Sequence, residues 1–163
     1  MKALRVFSFI SVLLWATSSI ADGPARVGNA YYEDLFRNVT CPSAYCYYTS
    51  AVPTPTDAYV RITHVACLLA ATQGSSNALE SASIQIRDGA NFGSSNLLKQ
   101  MVVEVPQPLV VGTTFFYTID RPTLFVVGAG RYIFFVVNNP PGSNPPNPFQ
   151  SSCGISGDLV PPQ

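Results

Sequence analysis

Runs rich in apolar, aromatic and β-branched residues recur along this chain, with a two-residue period that is clearest in residues 58–70 and 81–87. Short stretches rich in Gly, Pro, Asn and Ser separate these runs. This period is typical of β-strands that bury one face, whereas an amphipathic helix repeats its apolar positions every three or four residues. The runs that predict strands are residues 45–52, 58–70, 81–87, 97–105, 113–119, 123–127 and 131–138. We therefore predict an all-β, antiparallel fold, arranged as a β-sandwich or jelly roll.

Two of these runs make more specific predictions. In the run from Ala58 to Ala70, strict alternation places His64 on the same face as Val60 and Ile62, which we expect to be buried. The runs 123–127 and 131–138 are almost continuously apolar and are joined by Gly-Ala-Gly. That pattern predicts a hairpin that is covered on both sides.

The first 21 residues predict a cleaved signal peptide. Lys2 and Arg5 precede an apolar run that ends at Trp15, and Ser19 and Ala21 occupy the −3 and −1 positions of a cleavage site. The uncharged stretch is shorter than the ~20 residues that a membrane-spanning helix needs. We expect one mature domain, residues 22–163, that is secreted or periplasmic and has no integral membrane segment. Residues 139–163 form its proline-rich C-terminal tail.

All four cysteines lie in the mature part of the chain. An even number of cysteines in an oxidising compartment predicts disulfide bonds. Four cysteines allow three pairings, and the spacing favours Cys41 with Cys46, because Cys-Pro-Ser-Ala-Tyr-Cys can close a small local loop. The remaining pair is then Cys67 with Cys153.

Charge argues against some partners. Without Lys2 and Arg5, the mature chain has seven basic and nine acidic side chains, and its basic residues do not cluster. A mildly acidic domain of this kind has no electrostatic surface for nucleic acid or anionic membrane.

Residues for catalysis or metal binding are sparse. His64 is the only imidazole, and no Gly-x-Ser-x-Gly sequence accompanies it, so we interpret it as structural rather than as a general base. Glu33 and Asp34 are adjacent and would face opposite sides of a strand. The Asp88-Gly-Ala-Asn91 segment carries possible calcium ligands, but it fits a hairpin turn better. We predict no metal and no cofactor, and we do not favour an enzyme.

The richest aromatic cluster is Tyr45, Tyr47 and Tyr48. Exposed tyrosines at this spacing can stack on sugar rings or anchor a protein interface, although packing within a sheet is the competing interpretation. The only tryptophan lies in the predicted signal peptide, which weakens the case for a sugar platform. Asn38-Val-Thr40 matches the acceptor pattern for N-glycosylation.

The leading hypothesis is a secreted or periplasmic, non-enzymatic binding or adhesion module, with Tyr45, Tyr47 and Tyr48 contacting an unknown glycan or protein ligand. The alternative is a structural or envelope-associated subunit that assembles with itself or with a protein partner, through an apolar edge near Tyr132–Val137. A secreted hydrolase that uses His64 or a pair of carboxylates comes third.

Overall fold

The computed structural model describes residues 24–28, 30–36, 39–41, 45–72, 79–138 and 149–161. Within these ranges the regular elements are all β-strands, which confirms the predicted all-β class. In chain order, the strands are β1 (Ala25–Val27), β2 (Tyr31–Phe36), β3 (Val39–Thr40), β4 (Tyr45–Thr49), β5 (Tyr59–Thr72), β6 (Ser81–Arg87), β7 (Leu97–Val103), β8 (Leu109–Val111), β9 (Thr114–Val127), β10 (Tyr132–Asn138) and β11 (Phe149–Val160).

Several predictions concern residues outside these ranges. The signal peptide (residues 1–21) and the acceptor Asn38 are among them, and both stay predictions, as does the assignment of residues 22–163 to a single domain. In the described part of the chain, we find no helix with the length and apolar character needed to cross a membrane.

The strands form two antiparallel sheets. Sheet A has the order β1-β2-β11-β5-β9-β8, and sheet B has the order β3-β4-β10-β6-β7. The inner faces of both sheets contribute to one hydrophobic cluster, which includes Val60 and Phe125 from sheet A and Ile84 and Phe135 from sheet B. Burial of this apolar surface is the main term that stabilises the fold. The faces that point away from this cluster are called the outer faces of sheets A and B below.

The two apolar runs before and after the Gly-Ala-Gly segment do not form the predicted hairpin. The first belongs to β9 of sheet A and the second to β10 of sheet B, so the chain crosses between sheets. The Thr54 hydroxyl holds this crossing, because it donates to the Gly128 carbonyl (2.8 Å) and accepts from the Arg131 N–H (2.9 Å). Residues 133–137 are buried on both faces, as predicted for this run.

A β-bulge in the middle of β5 changes which side chains face the core. Val60 and Ile62 are buried, but β9 and β11 both skip Thr63 and pair next with His64. One extra residue reverses the alternation. The side chains buried beyond the bulge are therefore those of Val65, Cys67, Leu69 and Ala71. The predicted burial of His64 is wrong, and this residue lies on the outer face of sheet A.

The C-terminal segment, which we predicted as a tail, contains a central strand. Residues 139–148 lie outside the described residues, but β11 pairs with β2 on one side and with β5 on the other. Cys153 lies opposite Cys67 and forms a disulfide bond with it, and Cys41 is bonded to Cys46. This pairing is the one that the spacing favours. The strand itself was missed because its sequence is rich in Ser and Gly, which are typical of loops.

Candidate functional site

One candidate site, the aromatic surface, lies on the outer face of sheet B and begins on β4. Tyr45 and Tyr47 point outward, are half-buried, and have ring centroids 6.3 Å apart. Cys46 and Tyr48 point into the core, as the two-residue period of a strand requires. Tyr48 has no exposed surface, and burial raises its pKa well above the ordinary value. Its side chain cannot touch a ligand on the outer face, so Tyr48 is not part of this site.

Phe92 completes the aromatic surface, and the sequence pattern does not single it out. The loop between β6 and β7 places its ring 4.6 Å from that of Tyr47, with an angle of 11° between the planes. The distance to the Tyr45 ring is 5.5 Å. The rings of Tyr47 and Phe92 also lie 5.9 Å and 5.5 Å from the ring of Phe134, which is fully buried. These separations favour aromatic packing. The sequence signal that could have identified Phe92 is an isolated aromatic residue within a segment typical of turns.

Arg87 holds Phe92 against sheet B. Its guanidinium carbon lies 4.0 Å from the centroid of the Phe92 ring, and Nη1 donates to the carbonyl oxygens of Phe92 (2.9 Å) and Ser95 (2.8 Å). Nε and Nη2 both donate to Gln85 Oε1. Partial burial lowers the pKa of Arg87. Among the described residues no carboxylate forms an ion pair with this guanidinium, so a fixed positive charge lies beside the rings.

Ser83 lies on the same outer face, next to the aromatic surface. It is opposite Val136 of β10, and Val136 is opposite Tyr47 on the other side. Ser83 is buried, and its hydroxyl has no hydrogen-bond partner in the part of the chain that is described. A buried hydroxyl without a partner costs about 1–3 kcal/mol, so this group is a polar feature that packing alone does not explain.

The segment Asp88-Gly-Ala-Asn91 forms turn contacts. The Asp88 carboxylate accepts hydrogen bonds from the backbone N–H of Asn96 (2.8 Å) and from its side-chain amide (2.7 Å), which lower the pKa of Asp88. Asn91 Oδ1 accepts from the Gly93 N–H at 3.0 Å. These oxygens therefore bind groups of their own loop. The described residues include no group of three His, Cys, Asp or Glu side chains placed to hold a metal ion.

His64 lies on the outer face of sheet A, away from the aromatic surface. Its Nε2 is 2.7 Å from Asp120 Oδ1 of β9, and the two side chains are 43% and 71% exposed. Ser156 of β11 is opposite His64, and Glu33 of β2 is opposite Ser156. Sheet pairing thus places the single imidazole beside Asp120 and in the same cross-strand row as Glu33, two strands away. The sequence alone does not predict this grouping.

Comparison of the sequence with protein-family models and with curated proteins found no match. The function is therefore inferred from the residues and their geometry.

Proposed function

We propose that this protein is an exported, non-enzymatic binding module whose ligand is a glycan. The aromatic surface carries the proposal, because Tyr45, Tyr47 and Phe92 form a group of partly exposed rings on one outer face. The apolar C–H face of a sugar ring packs against such rings. Rings that are already held in place by Arg87 and Phe134 lose little conformational freedom when a ligand binds.

Polar groups next to the rings support a ligand rich in hydroxyls. Tyr45 and Tyr47 carry hydroxyl groups on half-buried side chains, and, among the described residues, one N–H of Arg87 Nη2 has no acceptor besides Gln85. Ligand sites commonly combine aromatic contacts with a small number of polar groups that fix orientation. The rings would supply most of the affinity, and these polar groups would select among sugars.

The proposed scaffold is a jelly-roll β-sandwich. Eight of the strands support this fold, with the order β2-β11-β5-β9 in one sheet and β4-β10-β6-β7 in the other, so that successive strands mostly alternate between sheets. Lectin domains and viral capsid proteins both use jelly rolls. Because one fold serves many functions, the scaffold is compatible with glycan binding but does not by itself argue for it.

The proposed location is secreted or periplasmic. The order of charged, apolar and small residues in residues 1–21 supports export. The two disulfide bonds are compatible with an oxidising compartment, in which they would persist.

The alternative role, assembly through an edge near Tyr132–Val137, does not fit the strand order. These residues belong to β10, which pairs with β4 on one side and β6 on the other. The exposed apolar side chains of Val102 and Leu109 lie instead on the edge strands β7 and β8. We therefore favour the binding role over assembly.

A glycan array tests the proposal directly. We expect the mature protein with intact disulfides to bind a limited set of glycans in a saturable way. Tyr47→Ala should weaken that binding by about 1–3 kcal/mol, because it removes a central ring of the surface. Tyr59→Ala is the matched control, since Tyr59 is also half-buried but lies on β5 of sheet A.

Circular dichroism must show that both variants are folded. If folded Tyr47→Ala binds a selected glycan as tightly as the unmodified protein, the aromatic surface is not the binding site. If the folded, unmodified protein binds no glycan, the glycan proposal fails, and a protein ligand becomes the next candidate for the same surface.

A further inference from the structure

The strand that carries Tyr45 and Tyr47 has a very short neighbour at the edge of sheet B. The edge strand β3 has only two residues, Val39 and Thr40, which lie opposite Tyr48 and Tyr47. Two cross-strand pairs bring little stability by themselves, because even a whole isolated hairpin is only marginally stable in water. The strand β3 therefore needs a further restraint to stay beside Tyr47.

A disulfide bond, called the edge disulfide below, supplies this restraint. It joins Cys41, which directly follows β3, to Cys46, which lies on β4 between Tyr45 and Tyr47. Cys46 is 1% exposed and points into the core. The bond thus ties the end of β3 to the inner side of the strand that carries both rings. Without this bond, β10 would be the one long neighbour that β4 keeps in the described sheet.

The other disulfide bond, called the central disulfide below, is far less accessible. Its residues Cys67 and Cys153 are 4% and 1% exposed and lie on neighbouring central strands of sheet A. In the edge disulfide, by contrast, Cys41 is partly exposed and directly follows the edge strand of sheet B. Thiol–disulfide exchange requires a thiolate to reach one of the two sulfurs. A thiol in solution therefore reacts with the edge disulfide first.

We propose that the edge disulfide is a redox-sensitive clip. When it is oxidised it orders the aromatic surface, and when a dithiol reduces it, β3 separates and the surface loosens. The consequence for ligand binding rests on the proposed function of this surface. Rings on a loosened strand must be ordered again when a ligand binds, and that ordering lowers the affinity. Tight binding is then limited to the oxidised state, which forms in an oxidising compartment.

The reduction is a two-step exchange with a dithiol. A thiolate of the dithiol attacks the sulfur of Cys41, the S–S bond breaks, and Cys46 leaves as a thiolate that takes a proton from water. The second thiol of the dithiol, once deprotonated, then attacks the dithiol sulfur that is bound to Cys41. Cys41 leaves as a thiolate and is protonated in turn. The dithiol ends as a disulfide, and two electrons and two protons have passed to the protein.

Graded reduction of the mature protein tests whether the two bonds differ. Dithiothreitol is added in steps, free thiols are alkylated with iodoacetamide, and peptide mapping by mass spectrometry identifies the labelled cysteines. We expect Cys41 and Cys46 to be labelled first. Reduction of the central disulfide should be at least about tenfold slower, because it requires local opening of sheet A. Equal rates, or faster reduction of the central disulfide, would overturn the proposal.

NMR spectroscopy tests the ordering of the surface without any ligand. In the double variant that replaces both cysteines of the edge disulfide by alanine, the backbone order parameter of Thr40 should fall below about 0.6, the value of flexible backbone. Nuclear Overhauser effects between the Tyr47 and Phe92 rings should weaken. The matched control replaces both cysteines of the central disulfide and should leave these signals unchanged. If Thr40 and the ring contacts stay unchanged in the folded edge variant, the edge disulfide does not order the surface.

Binding of a glycan selected on the array tests the consequence for function. The edge variant should bind about tenfold more weakly, since two tyrosine side chains must be ordered on binding. The unmodified protein should lose affinity when its edge disulfide is reduced and regain it on reoxidation. A folded edge variant that binds as tightly as the unmodified protein would overturn redox control of binding. If no glycan binds at all, the proposed function fails, while graded reduction and NMR spectroscopy still decide whether the clip exists.

Discussion

Asp34 is a carboxylate in the core between the two sheets. It lies on the inner face of β2 between Tyr32 and Phe36, and it is only 3% exposed. Burial raises its pKa from 3.8 to about 6, although hydrogen bonding by the Leu35 backbone acts in the opposite direction. The ionised form is therefore disfavoured in the folded protein. Neighbouring Glu33 is exposed, so the two adjacent carboxylates do face opposite sides, as the strand period predicts.

This burial predicts a protein that is more stable in mild acid. Because the pKa of Asp34 is higher in the folded than in the unfolded state, its contribution is fully present below about pH 4 and is lost as the pH rises through about 6. Because of Asp34, we expect the free energy of unfolding to be about 1–3 kcal/mol higher at pH 4 than at pH 7. Urea unfolding at several pH values measures this change.

Asp34→Asn is the variant that isolates this contribution. It keeps the shape of the side chain but cannot ionise, so it should be more stable than the unmodified protein at pH 7 and should show a flatter pH dependence. An Asp34→Asn variant with the same slope between pH 4 and pH 7 would assign the pH dependence to other groups.

At the scale of elements, the bulge in β5 depends on a glycine in the neighbouring strand. Gly157 of β11 pairs with Ile62, at the point where the register shifts. A Cβ at this position would collide with the carbonyl oxygen of Arg61, which is backbone and cannot move aside as a flexible side chain can. The close approach of the two backbones requires glycine. The bulge in turn places His64 on the outer face.

We therefore expect Gly157→Ala to lower the free energy of unfolding by about 1–3 kcal/mol, in the range of other overpacked sites. Gly154→Ala, in the same strand, is the matched control, because its added Cβ makes only ordinary contacts. We expect that variant to stay within about 0.5 kcal/mol of the unmodified protein. Chemical denaturation of both proteins compares them. Equal stability of the two variants would mean that the backbones separate easily at the bulge.

At the scale of the whole molecule, the disulfide between Cys67 and Cys153 closes the longer of the two loops. It joins residues 86 positions apart and connects two neighbouring central strands of sheet A, whereas Cys41 and Cys46 are 5 positions apart. In the chain-entropy estimate, a bond that closes a longer loop removes more conformations from the unfolded chain. The end of the chain is thereby bonded to the middle of the sheet.

Replacing both cysteines of a pair by alanine tests this difference. We expect loss of the Cys67–Cys153 bond to lower the free energy of unfolding by about 4.5 kcal/mol, and loss of the Cys41–Cys46 bond by about 2 kcal/mol. Urea unfolding of the two double variants gives both values. If loss of the Cys41–Cys46 bond lowers the free energy of unfolding more than loss of the Cys67–Cys153 bond, the entropic account is contradicted. That result would indicate that the Cys41–Cys46 bond stabilises packing in the folded state.

Much of the secondary structure could be predicted, and the candidate sites only in part. Alternation located β6, an almost continuous apolar run located β10, and aromatic and β-branched residues located β4. The two-residue period of a strand placed Tyr45 and Tyr47 on one face. It could not show that Tyr47 packs on Phe92, because that contact depends on how a loop folds over the sheet. It also could not foresee the grouping of His64 with Asp120, Ser156 and Glu33, which lie on four different strands.

The sequence by itself determined the properties that depend on neighbouring residues. These are the all-β class, which follows from the two-residue period, and the pairing of Cys41 with Cys46, which follows from their spacing. Only the tertiary structure decided the place of β11 between β2 and β5, the sheet to which each strand belongs, and the outward position of His64. The physical reason is that sheet pairing joins residues far apart in the chain, and one inserted residue reverses every side chain beyond it.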